Sequence, residues 1–311
     1  LKFLRQNMPN PMVGWYDPNF GVQFDKYLSV IEEAAPNASV PFIAESSLSL
    51  LSEKNVKRLG KAGCVATLPG IESWYGMGNK SGTGRAQAEE KVLQVSDHIN
   101  MILRHIPYVQ TNFVLGLDDD VGAEPFELTK KFIDLTPGAF PAYSLLSAFG
   151  EAAPMNIDLQ RAGRVLGFPF HFLDNNKSMN VRPMNYEWPE FYDYLVDLMK
   201  HSFSLKAVYR RFGATDRPMA KVFNLVRACS SEGYFRLQYH KRLRGLMDTD
   251  PDLRGFLEQD TDVIPDFYTD IIMKSLGIFG EFLPKGGMEH DQNAYLKKAE
   301  STFTIEAPAA E

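Results

Sequence analysis

The chain has 311 residues, 44% hydrophobic and 23% charged, with a formal net charge of −6. That length and composition admit one large α/β domain, or one domain with a helical appendage. They leave no basic stretch alternating with aromatics for nucleic acid, no apolar run near the roughly 20 residues that cross a bilayer, and no apolar core of a secretion signal within residues 1–10.

"LKFLRQNMP" (1–9) reads as the end of a helix, an unusual place for a domain to begin, so an upstream part is expected. "PMVGWYD" (11–17) predicts a strand, "QFDKYLSVIEEAA" (23–35) an amphipathic helix and "VPFIAES" (40–46) a strand. "SEKNVKRLGKAG" (52–63) predicts a helix with Ser52 as N-cap and Gly63 just past its end. Then come a strand at 64–71, a long helix at 85–106, a strand at 109–117, a helix at 124–137 and a strand at 140–149. Five strands separated by four helices imply a parallel sheet, closed as a barrel or partial barrel; a doubly wound open sheet is the alternative.

The segment 156–186 is less regular, and from Pro189 onward the pattern is helical at 189–211, 216–232 and 265–283. A charged helical stretch between the last two breaks at Pro251, and the tail 301–311 reads as disordered. The expected organisation is 1–155 as the strand–helix region, 156–188 as a connector, 189–300 as a helical region and 301–311 as a tail. Met, Phe and Tyr recur at helical spacing over 189–235 and are expected in the core.

Polar residues gather where the strands end. Asp17, Glu45 with Ser46, Glu72 with Ser73, Asp118 to Asp120, and Ser147 all fall at carboxyl ends. In parallel α/β proteins those ends carry ligands and catalysis. Glycines at 70, 76, 78 and 116 let a ligand or backbone approach closely. The loop 76–84 suggests a phosphate cradle, yet it lacks the Gly-Lys-Ser/Thr ending of a P-loop.

These same stretches resemble the radical S-adenosylmethionine superfamily, in particular the group whose members often carry an upstream cobalamin-binding domain. "WYDPNF" (15–20) is similar to that group's second-strand motif, an acidic residue followed closely by Asn-Phe. "PGIESW" with a downstream "NK" (69–80) resembles its fourth-strand Gly-Ile-Glu-Ser segment. "NFVLGLDDD" (112–120) resembles the fifth-strand pattern, with Asn112, Val114, Gly116 and Asp119 at its four positions. "LLSAFGEAAPMN" (145–156) resembles the sixth-strand stretch. The resemblance implies a partial parallel (β/α) barrel of the TIM-like radical S-adenosylmethionine type, with a mainly helical C-terminal region.

It also implies roles. Asp17 would meet the amino group of S-adenosylmethionine, and Glu72 with Ser73 the ribose or methionine part. Val114 and Gly116 would form an apolar floor under adenine, completed by Leu146 and Ser147. Asn112 occupies a motif position, and Glu45 joins the polar ring without matching a motif. Carboxylates suit the ammonium, the sulfonium and the ribose hydroxyls of such a ligand. The implied activity is reductive cleavage of S-adenosylmethionine by a 4Fe-4S cluster, giving a 5′-deoxyadenosyl radical. Cobalamin-dependent methyl transfer follows if a cobalamin domain lies upstream. The implied partners are a small-molecule substrate and an electron-donor protein.

The chain departs from the family in one respect. A 4Fe-4S cluster needs three cysteines spaced Cys-x3-Cys-x2-Cys. Here Cys64 and Cys229 stand 165 positions apart. The family's cysteine loop precedes the segment matching 11–20, so the expectation is a fragment that is inactive alone. Two free cysteines suit a reducing compartment, and the expected location is the cytoplasm. The rival readings are a barrel hydrolase using Asp17, Glu45 and Glu72 as acid and base, and a non-catalytic nucleoside-binding barrel.

Several polar residues also have plain structural readings. Asp118 and Asp120 are expected in a solvated loop capping the next helix, and Cys64 as a small apolar residue in a buried strand. His171 and Asn175-Asn176 are expected in structural roles, and His98 and His105 at the periphery.

Overall fold

The computed structural model describes residues 1–15, 17, 20–75, 88–148, 153–169 and 172–289. The loop 76–84, His171 and the tail 301–311 lie outside the described residues.

The strands are β1 (Val13–Trp15), β2 (Phe42–Ala44), β3 (Cys64–Thr67), β4 (Gly70–Glu72), β5 (Tyr108–Leu115) and β6 (Phe140–Leu145). Between them lie the helices α2 (Phe24–Ala34), α3 (Glu53–Ala62), α4 (Ala88–His105) and α5 (Glu124–Leu135), after a short α1 (Lys2–Asn7). The helix over 52–63 forms as its caps dictate. The Ser52 side chain accepts the Asn55 N–H, and Gly63 takes φ +101°, a left-handed turn that glycine makes at little steric cost.

One strand differs from expectation. Residues 64–71 do not run as a single strand; Leu68-Pro69 splits them into β3 and β4. Proline cannot donate to a ladder, so the pairing is interrupted there. Both halves nevertheless pair parallel to β5, through Ala66 with Tyr108 and then Gly70 with Asn112. β1 pairs parallel to β2, β2 to β3, and β6 also pairs with β5. Taking β3 and β4 as one interrupted line, the strands follow chain order across the sheet, without the reversal of a doubly wound sheet.

The sheet has two unlike faces. On β5, Val109, Thr111, Phe113 and Leu115 are buried, whereas Gln110, Asn112 and Val114 are only half-buried. The buried face packs on helices: Phe113, Trp74 and Phe132 of α5 form a ring cluster with centroids 5.5–5.8 Å apart. The other face is half-buried from Gln110 to Val114.

The later chain forms α6 (Pro154–Arg161), α7 (Trp188–Phe203), α8 (Leu205–Gly213), α9 (Pro218–Cys229), α10 (Tyr234–Thr249), α11 (Pro251–Leu257) and α12 (Asp266–Leu276). The segment read as irregular thus contains α6 and an antiparallel bridge between Val165 and Val181. The helix expected over 189–211 is two helices, because Ser204 leaves the helical conformation and caps α8 by accepting the Ala207 N–H.

The chain divides into two compact units. Among the described residues the first comprises those of 1–115, 119–143 and 194–238; the second comprises those of 116–118, 144–193 and 239–289. The second has its own core, in which Trp188 donates to the Leu257 carbonyl at 2.8 Å and Phe168, Phe256 and Phe267 surround Tyr268.

Candidate functional site

Parallel pairing puts the carboxyl ends of β1 to β5 along one edge of the sheet. Asp17, Glu45, Glu72 and Ser73 all sit on that edge, in the first unit. Asp17 lies two residues past β1 and is half-buried. The indole N–H of Trp15, the last residue of β1, is buried without a hydrogen-bond partner among the described residues. Glu45 ends β2 with an exposed side chain, while its carbonyl accepts the Phe20 N–H at 2.9 Å and so ties the β1 loop to β2. Ser46 beside it is buried.

The Gly-Ile-Glu-Ser stretch has the most unusual backbone of the site. Glu72 is a non-glycine residue at φ +63°. Left-handed backbone costs such a residue on the order of 1–2 kcal/mol, and it gathers where a ligand or a switch needs it. The turn folds the Glu72 carboxylate back over Gly70, into the space a Cβ would fill there. Gly70 in turn is in register with Asn112. The carboxylate is therefore carried over the half-open face of the sheet rather than off its edge. Ser73 follows, buried, its hydroxyl accepting the Tyr75 N–H at 3.1 Å and its carbonyl accepting Lys91 Nζ at 2.9 Å. Burial pulls the Lys91 ammonium below its ordinary pKa.

Asn112 has a structural task that the sequence did not reveal. Its backbone N–H donates to the Pro69 carbonyl at 3.2 Å, and Nδ2 donates to the Leu68 carbonyl at 3.2 Å. It thereby satisfies both carbonyls at the β3–β4 break. Its Oδ1 accepts from Gln110 Nε2 at 2.6 Å, and Gln110 Oε1 accepts from Arg227 at 2.7 Å. Arg227 also donates to the Tyr108 hydroxyl and pairs with Glu232. Tyr108, Gln110 and Asn112 thus form a polar line down one face of β5. Their period-2 spacing was the available signal; Arg227, over a hundred residues on, gave none. Val114 continues this face at half-burial.

Gly116, Leu146 and Ser147 belong to the second unit. Gly116 has φ +85°, and a Cβ there would lie 3.0 Å from Met179 and 3.1 Å from Phe191. Leu146 is buried, and the Ser147 hydroxyl donates to the Leu145 carbonyl at 3.0 Å. Next to them is a residue the sequence reading missed. Asn180 is fully buried, accepts the Ala148 N–H at 2.9 Å and donates to the Ala148 carbonyl at 2.6 Å.

Two expectations about the acidic loop are corrected. Asp118 is not simply solvated: both its oxygens accept from the Arg164 guanidinium, at 2.8 and 2.9 Å. Asp120 is buried, and only Asp119 faces solvent. Asn176 has the structural role expected of it, while Asn175 contributes a backbone bond. The Asn175 carbonyl accepts the Leu145 N–H, and Asn176 donates to Asp174.

The cysteines do not fit a cluster. Cys64 is buried in β3, where burial pushes its thiol up to about 12, and Cys229 is exposed at the end of α9. Among the described residues no group of three or more His, Cys, Asp or Glu side chains is arranged to hold a metal ion. No helix among them is long and apolar enough to cross a membrane.

No protein-family description matches the chain, and no curated protein matches its sequence. Among solved structures the chain is similar to TsrM, a radical S-adenosylmethionine methyltransferase from Kitasatospora setae solved with cobalamin and a 4Fe-4S cluster bound. The identity is 12% and the TM-score 0.42, over 84% of this chain and 54% of that one. The chain therefore spans about half the length of that enzyme.

Proposed function

We propose that this chain is the nucleoside-binding part of a barrel of the radical S-adenosylmethionine type, and that the carboxyl edge of its sheet cradles S-adenosylmethionine. The observation that carries this reading is Glu72: a left-handed non-glycine residue whose carboxylate turns over Gly70, opposite Asn112. Glu72 accepts from the ribose hydroxyls or the ammonium, charge-assisted bonds that outlast exchange with water. Asp17 and Glu45 supply further negative charge on the same edge, and the buried Trp15 indole N–H has no acceptor among the described residues. Val114 gives adenine an apolar floor and Ser73 fixes the turn; a role for Gly116, Leu146 and Ser147 rests on the sequence resemblance alone.

The 4Fe-4S cluster would supply the electron that splits the ligand. Neither Cys64 nor Cys229 fits it, so no step of that reaction is assigned to residues of this chain. Methyl transfer with cobalamin, a small-molecule substrate, an electron-donor protein and a cytoplasmic location belong to the same reading and rest on the sequence resemblance. The alternative reading is a barrel that binds the nucleoside without radical chemistry. Both make the same first prediction.

Glu72→Gly relieves the backbone strain while deleting the carboxylate. It is expected to leave the protein as stable or about 1 kcal/mol more stable, and to weaken S-adenosylmethionine binding at least about tenfold in calorimetry. A variant that unfolds more easily and binds as before would show that Glu72 serves the fold instead.

A further inference from the structure

α8 and α9 pack against each other, and both turn the wrong face to water. In α9 the buried positions are Ala220, Asn224 and Ala228, all small or polar. Its apolar stripe, Met219, Val222, Phe223 and Val226 at i, i+3, i+4 and i+7, lies largely in solvent, with Met219 79% and Val226 58% exposed, although the Phe223 ring also packs edge-on against Tyr108 at 4.8 Å. α8 repeats the pattern: Ala207 and Arg211 are buried, while Leu205 and Tyr209 are 90% and 79% exposed and Phe212 shares their stripe. Lys221 of α9 lies over the Phe212 ring at 5.1 Å. Seven such side chains on one helix pair are more than the scattered single apolar residues of an ordinary monomer surface.

Charge decides what covers this surface. Residues 204–229 hold six basic residues, Lys206, Arg210, Arg211, Arg217, Lys221 and Arg227, against one acidic residue, Asp216, in a chain whose net charge is −6. Arg210 and Arg227 have carboxylate partners, and Arg211 is buried. Lys206 and Arg217 are exposed beside the stripes, and Lys221 is half-buried with its ammonium on the Phe212 ring. A second copy would set the same cations against themselves across a two-fold axis, which like charges oppose. A bilayer rich in anionic headgroups answers both features, since apolar side chains enter the headgroup boundary while Lys and Arg meet phosphate.

We propose that the α8–α9 hairpin is a peripheral membrane anchor that lies on an anionic phospholipid surface. The inference does not depend on the nucleoside reading.

The test is co-sedimentation of the full chain with vesicles of phosphatidylcholine alone and with vesicles containing roughly a third phosphatidylglycerol. The protein is expected to bind the anionic vesicles, to release at high salt and to ignore the neutral ones. Lys206→Glu with Lys221→Glu, and separately Tyr209→Ser with Val226→Ser, should each lower partitioning at least about tenfold. All four positions are partly or well exposed, so the thermal midpoint should not move and lost binding cannot be mistaken for unfolding. Equal affinity for both vesicles, or for neither, overturns the proposal. So does a dimer in analytical ultracentrifugation that the Tyr209→Ser, Val226→Ser protein no longer forms.

Discussion

Asn112 does two things at once. It occupies a position that the sequence resemblance assigns to the ligand, and it satisfies the Leu68 carbonyl at the break between β3 and β4. Asn112→Ala leaves that carbonyl and Gln110 Nε2 without their partner, and is expected to cost about 1–2 kcal/mol in chemical denaturation. An unchanged midpoint would mean that the break needs no such support. The two cysteines make a contrast at the same scale. Burial raises the Cys64 thiol to about 12, so it carries negligible thiolate at neutral pH, whereas Cys229 is exposed. A thiol reagent is expected to modify one cysteine in the native protein and both only after unfolding. Rapid modification of both in the native state would contradict the burial of β3.

At the scale of elements, α3 shows how far local chemistry reaches. Ser52 caps its start and Gly63 turns its end, both as the sequence suggests. Ser52→Ala is expected to destabilise by about 1 kcal/mol, read as a lower denaturation midpoint with an unchanged slope. α9 shows the opposite. Its spacing predicts a stripe buried in the core, and the stripe exists, but Ala220, Asn224 and Ala228 are what the first unit buries. The expectation of core packing holds for Phe191, Tyr192, Met199 and Phe203 and fails for Tyr209, Met219, Tyr234 and Phe235, while Phe223 is half-exposed with its ring against Tyr108. Periodicity reports that a helix has an apolar side. It does not report what that side meets.

Across the whole molecule, carboxylates held low by basic partners bind the chain's charge balance to pH. In Glu32 the hydrogen bond from Arg58 is the largest influence, opposed by burial. In Asp134 and Asp174 burial alone would raise the carboxyl, and hydrogen bonds from Arg210 and His201, and from Lys177, outweigh it. Folded-state values below the unfolded ones mean stability that is complete above about pH 5 and lost as pH falls through the lower folded-state range. Denaturation midpoints should therefore fall on acidification below about pH 5, and less steeply in Asp134→Asn than in the parent. Identical slopes in the two proteins would remove Asp134 from the account. All three groups are substantially exposed, so each contribution is small.

The sequence alone determined the alternation of strands and helices, the caps of α3 and the gathering of Asp17, Glu45, Glu72 and Ser73 at strand ends. These follow from local spacing and capping chemistry, which neighbours along the chain settle. Only the tertiary structure decided the rest. Pro69 splits a strand whose halves still share β5, because the partner strand supplies Asn112 to the freed carbonyls. The Glu72 carboxylate lies over Gly70, because one left-handed residue redirects it. Arg227 reaches Tyr108 and Gln110 across more than a hundred residues, a contact no local pattern encodes. Which face of a helix meets the core is fixed by what the other elements offer it, and for α8 and α9 they offer room only for alanine, asparagine and the buried Arg211.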